Sequence, residues 1–512
     1  MRENMDREQP KNQQAQPERK GGGNRRNASG QHGGSKVGLE RRSYGGGQNA
    51  QRGGRPKYAP RPDDNSRIVA LNALSEVSQQ GAYCQLALDK CLRASRISPE
   101  DKRLATRIFY SAVENKIRLN HVLRQFIDKY PDPYTADVLH IAAAQLLFMD
   151  RMPDHAVVDQ AVRHMKMAHR ERYGGLVNGV LRSLIRARDA GEIEYPDREK
   201  EPVRYLSVMY SLPEALLARL VAAFGMEETE RIIAWKPEER REVVRPNYTL
   251  MDAGAFENYA RRMEWDFEPA PVPGALLVKG AGDLAGLPDY RKGLFSIQSV
   301  GSMLAAMAVR PKRGMHVLDA CAAPGGKTAF IAEQLDGTGR VYAWDVHDHR
   351  VNLIRAQAER LRLYNIRPAV RDARRHYEDM EWALDAVLVD APCSGLGEMA
   401  DKPDIKYHIT GESIDALVQT QAEILDAVCD YVKPGGALVY STCTIMPEEN
   451  IAQVKAFLQR HPEFELDADV RWLPEAFRER VSEGCLQLMG YRDQTEGFFI
   501  ARMKKKQGRR PL

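Results

Sequence analysis

The chain has 512 residues, of which 43% are hydrophobic and 28% charged, so roughly two to four domains with cores of their own are expected. The net charge of +5 is uneven: residues 1–62 carry +9, the last nine residues carry +5, and the residues between them carry −9. No apolar run is long enough to span a membrane, and no secretory signal is visible. Seven cysteines without a CxxC pair predict neither a disulfide framework nor a zinc ribbon, so the reducing cytoplasm is the expected location.

Residues 1–62 form a low-complexity segment dominated by Gly, Arg, Asn and Gln. Such a composition cannot bury enough apolar surface to offset its ordering entropy, so we expect a disordered basic tail. Two interpretations remain open for it. The tail contacts RNA phosphates without sequence preference, or it only keeps the protein soluble.

Residues 63–190 have the pattern of an all-helical bundle. The first helix is marked by apolar residues at helical spacing: Ile68, Leu71, Leu74 and Val77. Ser98 and Pro99 begin a helix that is predicted to run to about Ile127. Residues 136–149 are apolar on nearly all sides, which predicts a central buried helix, and further helices are expected after residues 153 and 175.

Residues 191–300 are predicted to contain both helices and strands. Helices are predicted over 213–235 and 251–263, and short strands over 242–245, 275–278 and 294–297. These elements predict one small α+β domain.

Residues 301–503 alternate between strands and helices. Strands are predicted over 316–319, 341–344, 367–370, 386–389, 437–441, 486–489 and 497–503, and helices over 327–335, 349–363, 413–432 and 449–460. Continuous apolar strands that alternate with helices predict a doubly wound, parallel α/β sheet. Residues 504–512 are predicted to form a second basic tail.

A strand, a small-residue loop and a helix meet at residues 317–328. The strand ends at Asp319, and the loop that follows consists of Cys321, Ala322, Ala323, Pro324, Gly325 and Gly326, with Lys327 opening the helix. Small residues allow a ligand to approach the backbone, and the helix start offers free N–H groups. Asp345 ends the next strand, where an acid can accept hydrogen bonds from a ribose. An ordinary strand–helix turn is the alternative.

Two cysteines follow consecutive predicted strands. Asp390 and Cys393 come directly after residues 386–389, and Cys443 ends the strand 437–441. If the two strands pair, both thiols face one crevice at the carboxyl edge of the sheet. A small buried hydrophobic residue is the alternative for any single cysteine, and we apply it to Cys84, Cys91, Cys429 and Cys485. A disulfide is disfavoured in cytosol, and no further metal ligands flank the pair.

The motifs CAAPGGKT (321–328), DAPCSG (390–395) and STCT (441–444) together resemble the RNA 5-methylcytosine methyltransferase family. Residues 402–407 and 447–450 also look like family segments. The helical block resembles a NusB-like domain at residues 156–162 and 177–182, and residues 191–300 resemble an RNA-recognition-motif-like domain. The resemblance implies a Rossmann-like methyltransferase domain, S-adenosylmethionine as methyl donor, and a cytosine of 16S rRNA (967 in standard 16S numbering) as target.

The resemblance also implies roles for four residues in catalysis. Cys443 adds to carbon 6 of cytosine as a nucleophile, so that carbon 5 can accept the methyl group. Cys393 assists the release of the product. Asp390 protonates or hydrogen-bonds the ring nitrogen, and Lys327 is expected to favour the thiolate by lowering a nearby thiol pKa.

For the cofactor, the family pattern places the loop from Cys321 to Lys327 around the methionine part. Asp345 then contacts the ribose, Asp372 lies near the adenine amine, and Asp390 borders the methyl end. An alternative for Asp372 is a loop acid among neighbouring arginines. No metal, membrane or obligate protein partner is implied.

The sequence departs from the family pattern at Gln298-Ser299, Arg245-Pro246-Asn247 and Ala400-Asp401. We expect these departures to alter RNA contacts without touching the cysteines or the cofactor loop. Two rival functions remain open: the same chemistry on another RNA such as tRNA, and a non-catalytic RNA-binding factor in ribosome assembly. The intact cysteine pair argues against the second rival, because a pure binder needs neither thiol.

Overall fold

The structure is a computed structural model, and it describes residues 65–150, 152–239, 241–280 and 282–508. The predicted basic tail at residues 1–62 lies outside the described residues, as do the last four residues of the chain. In chain order, the described residues contain a helical bundle, a small antiparallel sheet and a large mixed sheet.

Seven helices form the N-terminal bundle: α1 (Ser66–Gln80), α2 (Cys84–Ala94), α3 (Pro99–Glu114), α4 (Lys116–Leu123), α5 (Pro133–Phe148), α6 (Asp154–Met167) and α7 (Gly174–Ala190). Ser98 caps α3 as predicted, since its hydroxyl accepts a hydrogen bond from the Asp101 N–H at 3.1 Å. Helix α5 is buried on nearly all sides and forms the centre of the bundle.

The predicted long helix after Ser98 is wrong, because it breaks at Asn115 into α3 and α4. The start of α4 receives its cap from a distant part of the chain. The Ser211 hydroxyl accepts hydrogen bonds from the N–H groups of Ile117 and Arg118, at 2.7 and 3.2 Å. A helix start that is capped from a residue about ninety positions away leaves no local sequence signal.

Three helices follow the bundle, α8 (Pro202–Tyr210), α9 (Glu214–Phe224) and α10 (Met226–Ala234). Their apolar faces pack against Leu396, Ile414 and Met446 of the C-terminal part of the chain. Within the described part of the chain, no single helix has the length and apolarity to cross a membrane. Helices α8 and α9 reach that threshold only when they are counted together across a bend of 115°.

The small sheet has the strands β1 (Arg241–Pro246), β2 (Asp266–Pro269), β3 (Leu276–Lys279) and β4 (Phe295–Ile297), with the helices α11 (Ala253–Arg262) and α12 (Pro288–Arg291). The strands pair antiparallel in the order β2-β3-β1-β4 around a core that includes Phe256 and Phe295. Residues 191–300 therefore contribute to three hydrophobic cores, whereas the sequence predicts a single α+β unit. The apolar face of α8–α10 finds its partners on the C-terminal part instead of on this sheet.

The large sheet has nine strands: β5 (His316–Asp319), β6 (Arg340–Asp345), β7 (Ile366–Val370), β8 (Leu384–Asp390), β9 (Val432–Thr442), β10 (Phe464–Leu466), β11 (Val481–Ser482), β12 (Cys485–Leu488) and β13 (Phe498–Lys505). Its order is β11-β12-β13-β9-β8-β5-β6-β7, with β10 paired to β13. Strands β5 to β9 are parallel as predicted, and β13 is antiparallel to β9.

Eight helices accompany this sheet: α13 (Val300–Ala308), α14 (Gly326–Gln334), α15 (Asp348–Leu361), α16 (Ile405–His408), α17 (Gly411–Val428), α18 (Ile451–Arg460), α19 (Glu475–Arg478) and α20 (Gly490–Asp493). Strand β5 is central, with Asp319 opposite Ala343 of β6 and Leu388 of β8. The carboxyl ends of β5, β6 and β8 therefore meet at one edge of the sheet.

The predicted boundary of the C-terminal basic tail at residue 504 is also wrong. Strand β13 continues through Lys504 and Lys505, which pair with β9 and β10. Lys505 is only 4% exposed, and its ammonium donates to the Cys429 carbonyl at 3.1 Å. Strand pairing therefore fixes two of the five C-terminal cations inside the sheet.

Residues 404–407, a family segment in the sequence, join the N-terminal bundle to the C-terminal part. The Lys406 ammonium donates to the Glu114 carbonyl at the end of α3, at 2.9 Å. The Tyr407 hydroxyl donates to the Val113 carbonyl at 2.9 Å, and the Asp404 carboxylate accepts from the Cys84 N–H at 3.1 Å. Because these groups satisfy helix ends of the bundle, they fix the bundle against the C-terminal part of the chain.

Candidate active site

A cavity of about 230 Å³ lies at the carboxyl end of β5. Most of the predicted cofactor loop lines it: Cys321, Ala322, Ala323, Pro324, Gly326 and Lys327, together with Asp390. Gly325 caps α14 with a φ of 108°, and a Cβ at that position would lie 3.3 Å from the Ile354 backbone, so the turn favours glycine. The cavity is therefore built by the strand, the loop and the helix start that the sequence predicts.

Asp319 also lines the cavity. The sequence pattern identifies it only as the last residue of a strand and assigns it no binding role. The Thr328 hydroxyl donates to Asp319 Oδ2 at 2.6 Å, while the buried Asp319 Oδ1 has no hydrogen-bond partner among the described residues. Burial raises the pKa of this carboxyl to about 7. An unpartnered carboxylate oxygen in a cavity wall fits the cationic amino group of S-adenosylmethionine.

Gln298 presents a second unpartnered group at the cavity. Its side-chain oxygen accepts a hydrogen bond from Arg245 Nε at 2.6 Å, whereas its buried Nε2 has no partner. Gln298 and Ser299, one of the places where the sequence departs from the family pattern, both line the cavity together with the predicted cofactor loop. The expectation that this departure does not touch the loop is therefore wrong. The short segment before α13 folds back over the start of α14, which the sequence did not indicate.

Arg245 and Asn247 were expected to influence RNA contacts, and the structure contradicts this for both side chains. Arg245 is fully buried and pairs with the equally buried Glu333 at 2.6 Å. Asn247 donates to the carbonyls of Gly293 and Leu361, at 3.0 and 3.2 Å. These residues dock the small sheet onto the C-terminal part, because both find their partners in the interior.

Lys327 and Asp390 form an ion pair at the cavity floor. The Lys327 ammonium lies 2.7 Å from Asp390 Oδ2 and donates to the Ser302 hydroxyl at 3.1 Å. Ser441 donates to the other Asp390 oxygen at 2.8 Å. Burial opposes the charge on Lys327, but the charge and hydrogen bond of Asp390 outweigh burial, so the pKa of Lys327 is raised.

The two predicted cysteines lie together beside this ion pair. Strands β8 and β9 pair in parallel with Asp390 opposite Ser441, so the sulfur atoms of Cys393 and Cys443 come within 3.4 Å. Both thiols are free and partly buried. The carboxyl ends of β8 and β9 therefore bring two thiols together near a fixed carboxylate.

Glu449 holds the two cysteine loops together, although sequence reasoning gave it no role. This buried carboxylate accepts hydrogen bonds from the Ser394 N–H at 2.8 Å and from the Thr444 hydroxyl at 3.1 Å. Ser394 follows Cys393 and Thr444 follows Cys443 in the sequence. The family segment 447–450 was the available signal, because Glu449 lies within it.

The pKa of Cys443 is raised well above its ordinary value in this structure. The hydrogen bond with Cys393 contributes most, followed by burial and by the charges of Cys393 and the nearby acids. Lys327 interacts with Cys443 through its charge, but Cys393 and burial have the larger effect on the pKa of Cys443, and Lys327 is also paired with Asp390.

Asp345 and Asp372 lie near the cavity but do not line it. Asp345 ends β6, and Arg350 joins it to the cofactor loop by contacting Asp345 Oδ2 at 3.1 Å and the Ala323 carbonyl at 3.1 Å. Asp372 follows β7 and binds the Arg374 guanidinium at 2.8 Å. That hydrogen bond lowers the pKa of Asp372.

One group of metal-ligand side chains occurs elsewhere among the described residues. Ligand atoms of Cys429, His461 and Glu463 all lie within 4.8 Å of one another. His461 also contacts Asp426 at 3.0 Å, and burial raises the pKa of Cys429 to about 12. Cys429 lies just before the amino end of β9, at the edge of the sheet opposite the cysteine pair, so this group is separate from the cavity.

Comparisons with known proteins match both ends of this architecture. The NusB family matches residues 64–186, and a family described as 16S rRNA methyltransferase RsmB/F matches residues 306–504. The probable ribosomal RNA small subunit methyltransferase B of Bacillus subtilis (strain 168) is 36% identical over 444 residues, covering 86% of this chain and 98% of the relative. This chain belongs to the ribosomal RNA small subunit methyltransferase B family. A second relative, the probable ribosomal RNA small subunit methyltransferase B of Synechocystis sp., is 30% identical over 448 residues, which cover 86% of this chain and 99% of the relative.

Solved structures agree with membership of the methyltransferase B family. The crystal structure of PH0851 has a TM-score of 0.72 and 26% identity, covering 86% of this chain and 98% of that one. A methyltransferase homologue from Pyrococcus horikoshii has a TM-score of 0.51 and 26% identity, over 58% of this chain and 97% of that one. The predicted fold class, a NusB-like helical domain followed by a Rossmann-like methyltransferase domain, is confirmed.

Proposed function

We propose that this protein transfers a methyl group from S-adenosylmethionine to carbon 5 of a cytosine in 16S rRNA, through a covalent bond between Cys443 and the base. The observation that carries the proposal is the pair of thiols 3.4 Å apart beside the Lys327–Asp390 ion pair. Membership of the family supports the rRNA substrate, and cytosine 967 in standard 16S numbering is the target we propose. Ribosomal RNA as substrate makes the cytoplasm the proposed location.

The residues around the cavity suit S-adenosylmethionine, which supplies an activated methyl group when it is bound. Asp319 offers an unpartnered carboxylate oxygen to the cationic amino group. Gln298 offers an unpartnered N–H to the carboxylate of the methionine part. Asp345 is proposed to bind the ribose, and Asp372 the adenine amine.

The protein side chains divide the chemistry into two easier steps. Carbon 5 of cytosine is a poor nucleophile, and addition of the Cys443 sulfur to carbon 6 makes it electron-rich. Asp390, held as a carboxylate by Lys327 and Ser441, takes up the proton that the Cys443 thiol releases and passes it to the ring nitrogen, which favours this addition. After methyl transfer, Cys393 assists removal of the carbon 5 proton, and the bond to Cys443 breaks.

The target cytosine has to leave a base-paired stack before its carbon 6 can meet a thiol inside a crevice. Single-stranded or looped RNA meets this requirement at low cost. The RNA-contacting surfaces are therefore proposed on the helical and middle domains that surround the crevice.

Methylation of defined RNAs tests the proposal. The protein is incubated with labelled S-adenosylmethionine and undermodified 16S rRNA, 30S subunits or tRNA, and 5-methylcytosine is mapped by sequencing. We expect label at one cytosine of 16S rRNA. Label on tRNA alone contradicts the substrate, and a lack of label on every RNA favours a non-catalytic binding factor.

A further inference from the structure

A groove on the N-terminal bundle lies outside the site described above. Its cavity of about 670 Å³ runs along one face of α3 to the end of α5. We call it the α3 groove and define it by six lining residues: Lys102, Arg103, Arg107, Tyr110, Phe148 and Lys236.

The α3 groove is strongly cationic. Four of its eleven lining residues are Lys or Arg, and Glu114 is the one acid, already paired with Lys236 at 2.8 Å. Lys102 and Arg107 form no ion pair with any described residue, and Arg103 contacts only the exposed Glu100. Exposed pairs of this kind are weak, so these cations can bind phosphates.

Two aromatic rings line the same groove. Tyr110 and Phe148 are partly buried, so their rings are held in place while part of their surface stays accessible. The Arg118 guanidinium lies 5.1 Å from the centre of the Phe148 ring. Phosphate-binding cations combined with aromatic rings are the features that single-stranded nucleic acids recognise, because unpaired bases stack on the rings.

The α3 groove continues towards the cysteines. Glu114, Asn115 and Lys236 also line a neighbouring crevice between α8–α10 and the C-terminal part. That crevice is lined at its far side by Gly397 and Ile445, and the Gly397 N–H donates to the Cys443 carbonyl at 3.0 Å. A nucleic-acid strand bound in the α3 groove would therefore run towards the loops that carry both thiols.

We propose that the α3 groove binds single-stranded RNA that flanks the target cytosine, with Arg103 and Arg107 contacting phosphates and Tyr110 stacking on a base. The proposal rests on the proposed function, since it assigns a further binding site to the same RNA. The occupant is RNA because the groove combines aromatic rings with two cations that form no ion pair with a described residue, Lys102 and Arg107, and with Arg103, which forms only an exposed one.

The chain offers a matched control for the two arginines. Arg103 and Arg107 are exposed and four residues apart on α3, and Arg182 and Arg186 are exposed and four residues apart on α7 of the same bundle. The double variant R103Q/R107Q is compared with R182Q/R186Q and with the unaltered protein. Thermal unfolding establishes that both variants are folded.

Binding of a long 16S rRNA fragment and of a short oligonucleotide with little flanking sequence is measured over a range of salt. For the long RNA we expect R103Q/R107Q to weaken binding at least tenfold and to reduce the salt slope of log Kd by about 1.4, for two single-strand phosphate contacts. The control variant stays within twofold, and the short oligonucleotide binds both variants alike. Equal effects of the two variants would overturn the proposal.

Crosslinking gives an independent measurement. A long RNA with 4-thiouridine next to the target cytosine is irradiated with the unaltered protein, and crosslinked peptides are identified by mass spectrometry. We expect α3 peptides that contain Tyr110; crosslinks confined to other surfaces would overturn the assignment. Methyl transfer by the unaltered protein reports separately on the proposed function, so the two failures are distinguishable.

Discussion

At the residue scale, the proposed cofactor site depends on one buried atom of Asp319. One carboxylate oxygen binds Thr328 and the other has no partner, while burial holds the pKa near 7 instead of 3.8. A folded-state pKa above the unfolded value means that the folded protein binds this proton more tightly. The contribution of Asp319 to stability is therefore present at low pH and is lost as the pH rises from about 4 to about 7.

The variant Asp319→Asn should remove this part of the pH dependence. We expect the melting temperature of the cofactor-free variant to fall less between pH 5 and pH 8 than that of the unaltered protein. At pH 8 the variant should bind S-adenosylmethionine at least tenfold more weakly, because a charge-assisted hydrogen bond is lost. Differential scanning calorimetry and isothermal titration calorimetry measure the two effects.

Asp137 provides a control for this prediction. It is a buried acid of the helical bundle whose pKa is also raised by burial, and it lies in another domain. Asp137→Asn should change stability but leave cofactor affinity within twofold. An Asp319→Asn variant with unchanged affinity at pH 8 would disprove the assignment of Asp319 to the cofactor.

Single residues were predictable where a motif names them and not where packing creates their role. Cys393, Cys443 and Asp390 lie at ends of predicted strands, so their meeting follows from parallel pairing. Gln298 and Asp319 act through unpartnered atoms that only the folded chain reveals. The role expected for Lys327 also depends on packing, since Lys327 is paired with Asp390 while Cys393 and burial raise the pKa of Cys443.

At the element scale, α13 connects the cofactor cavity to the antiparallel end of the sheet. Ser299 and Ser302 at its start line the cavity, and its inner face packs on β13. A Cβ at Gly301 would lie 2.5 Å from the Phe498 ring. The close approach of α13 to β13 therefore requires glycine at this position.

Gly301→Ala should destabilise the protein by about 1–3 kcal/mol, because the helix or the Phe498 ring has to move. Gly175→Ala is the matched control: it is also the second residue of a helix, and a Cβ there meets no atom within 4 Å. The control should be neutral or slightly stabilising. Urea unfolding monitored by circular dichroism measures both, and equal midpoints for the two variants would contradict the packing argument.

Helices and strands could be predicted where the pattern of apolar residues within the segment determines its structure. Strands β5, β6, β8 and β9 follow from apolar runs between helices, and α5 follows from its apolar composition. The break at Asn115 and the docking of α8–α10 depend on residues far away in the sequence, such as Ser211 and Leu396. Local patterns carry no information on those partners.

At the scale of the whole molecule, the charge distribution has a clear functional consequence. Residues 1–62 carry +9 and the central part of the chain carries −9, so nonspecific attraction to phosphates is concentrated outside the described domains. Within those domains the cations are focused in places such as the α3 groove. Affinity and site selection are therefore expected to depend on different parts of the chain.

Deletion of residues 1–62 should weaken binding to 16S rRNA and reduce its salt dependence, because several phosphate contacts are lost. The methylated cytosine should stay the same, since the folded domains select it. Filter binding over a range of salt and sequencing of 5-methylcytosine measure the two properties. Unchanged affinity and salt slope would show that the segment serves only solubility.

Cys443 is proposed to bond to the cytosine, and Cys393 is proposed to be needed for release. The most direct measurement incubates the Cys393→Ala, Cys443→Ala and doubly substituted proteins with 16S rRNA and S-adenosylmethionine, followed by denaturing gel electrophoresis. We expect an RNA–protein band for Cys393→Ala, none for the other two variants, and no methyl transfer by Cys443→Ala. A covalent band with Cys443→Ala, or full activity without a band for Cys393→Ala, would contradict it.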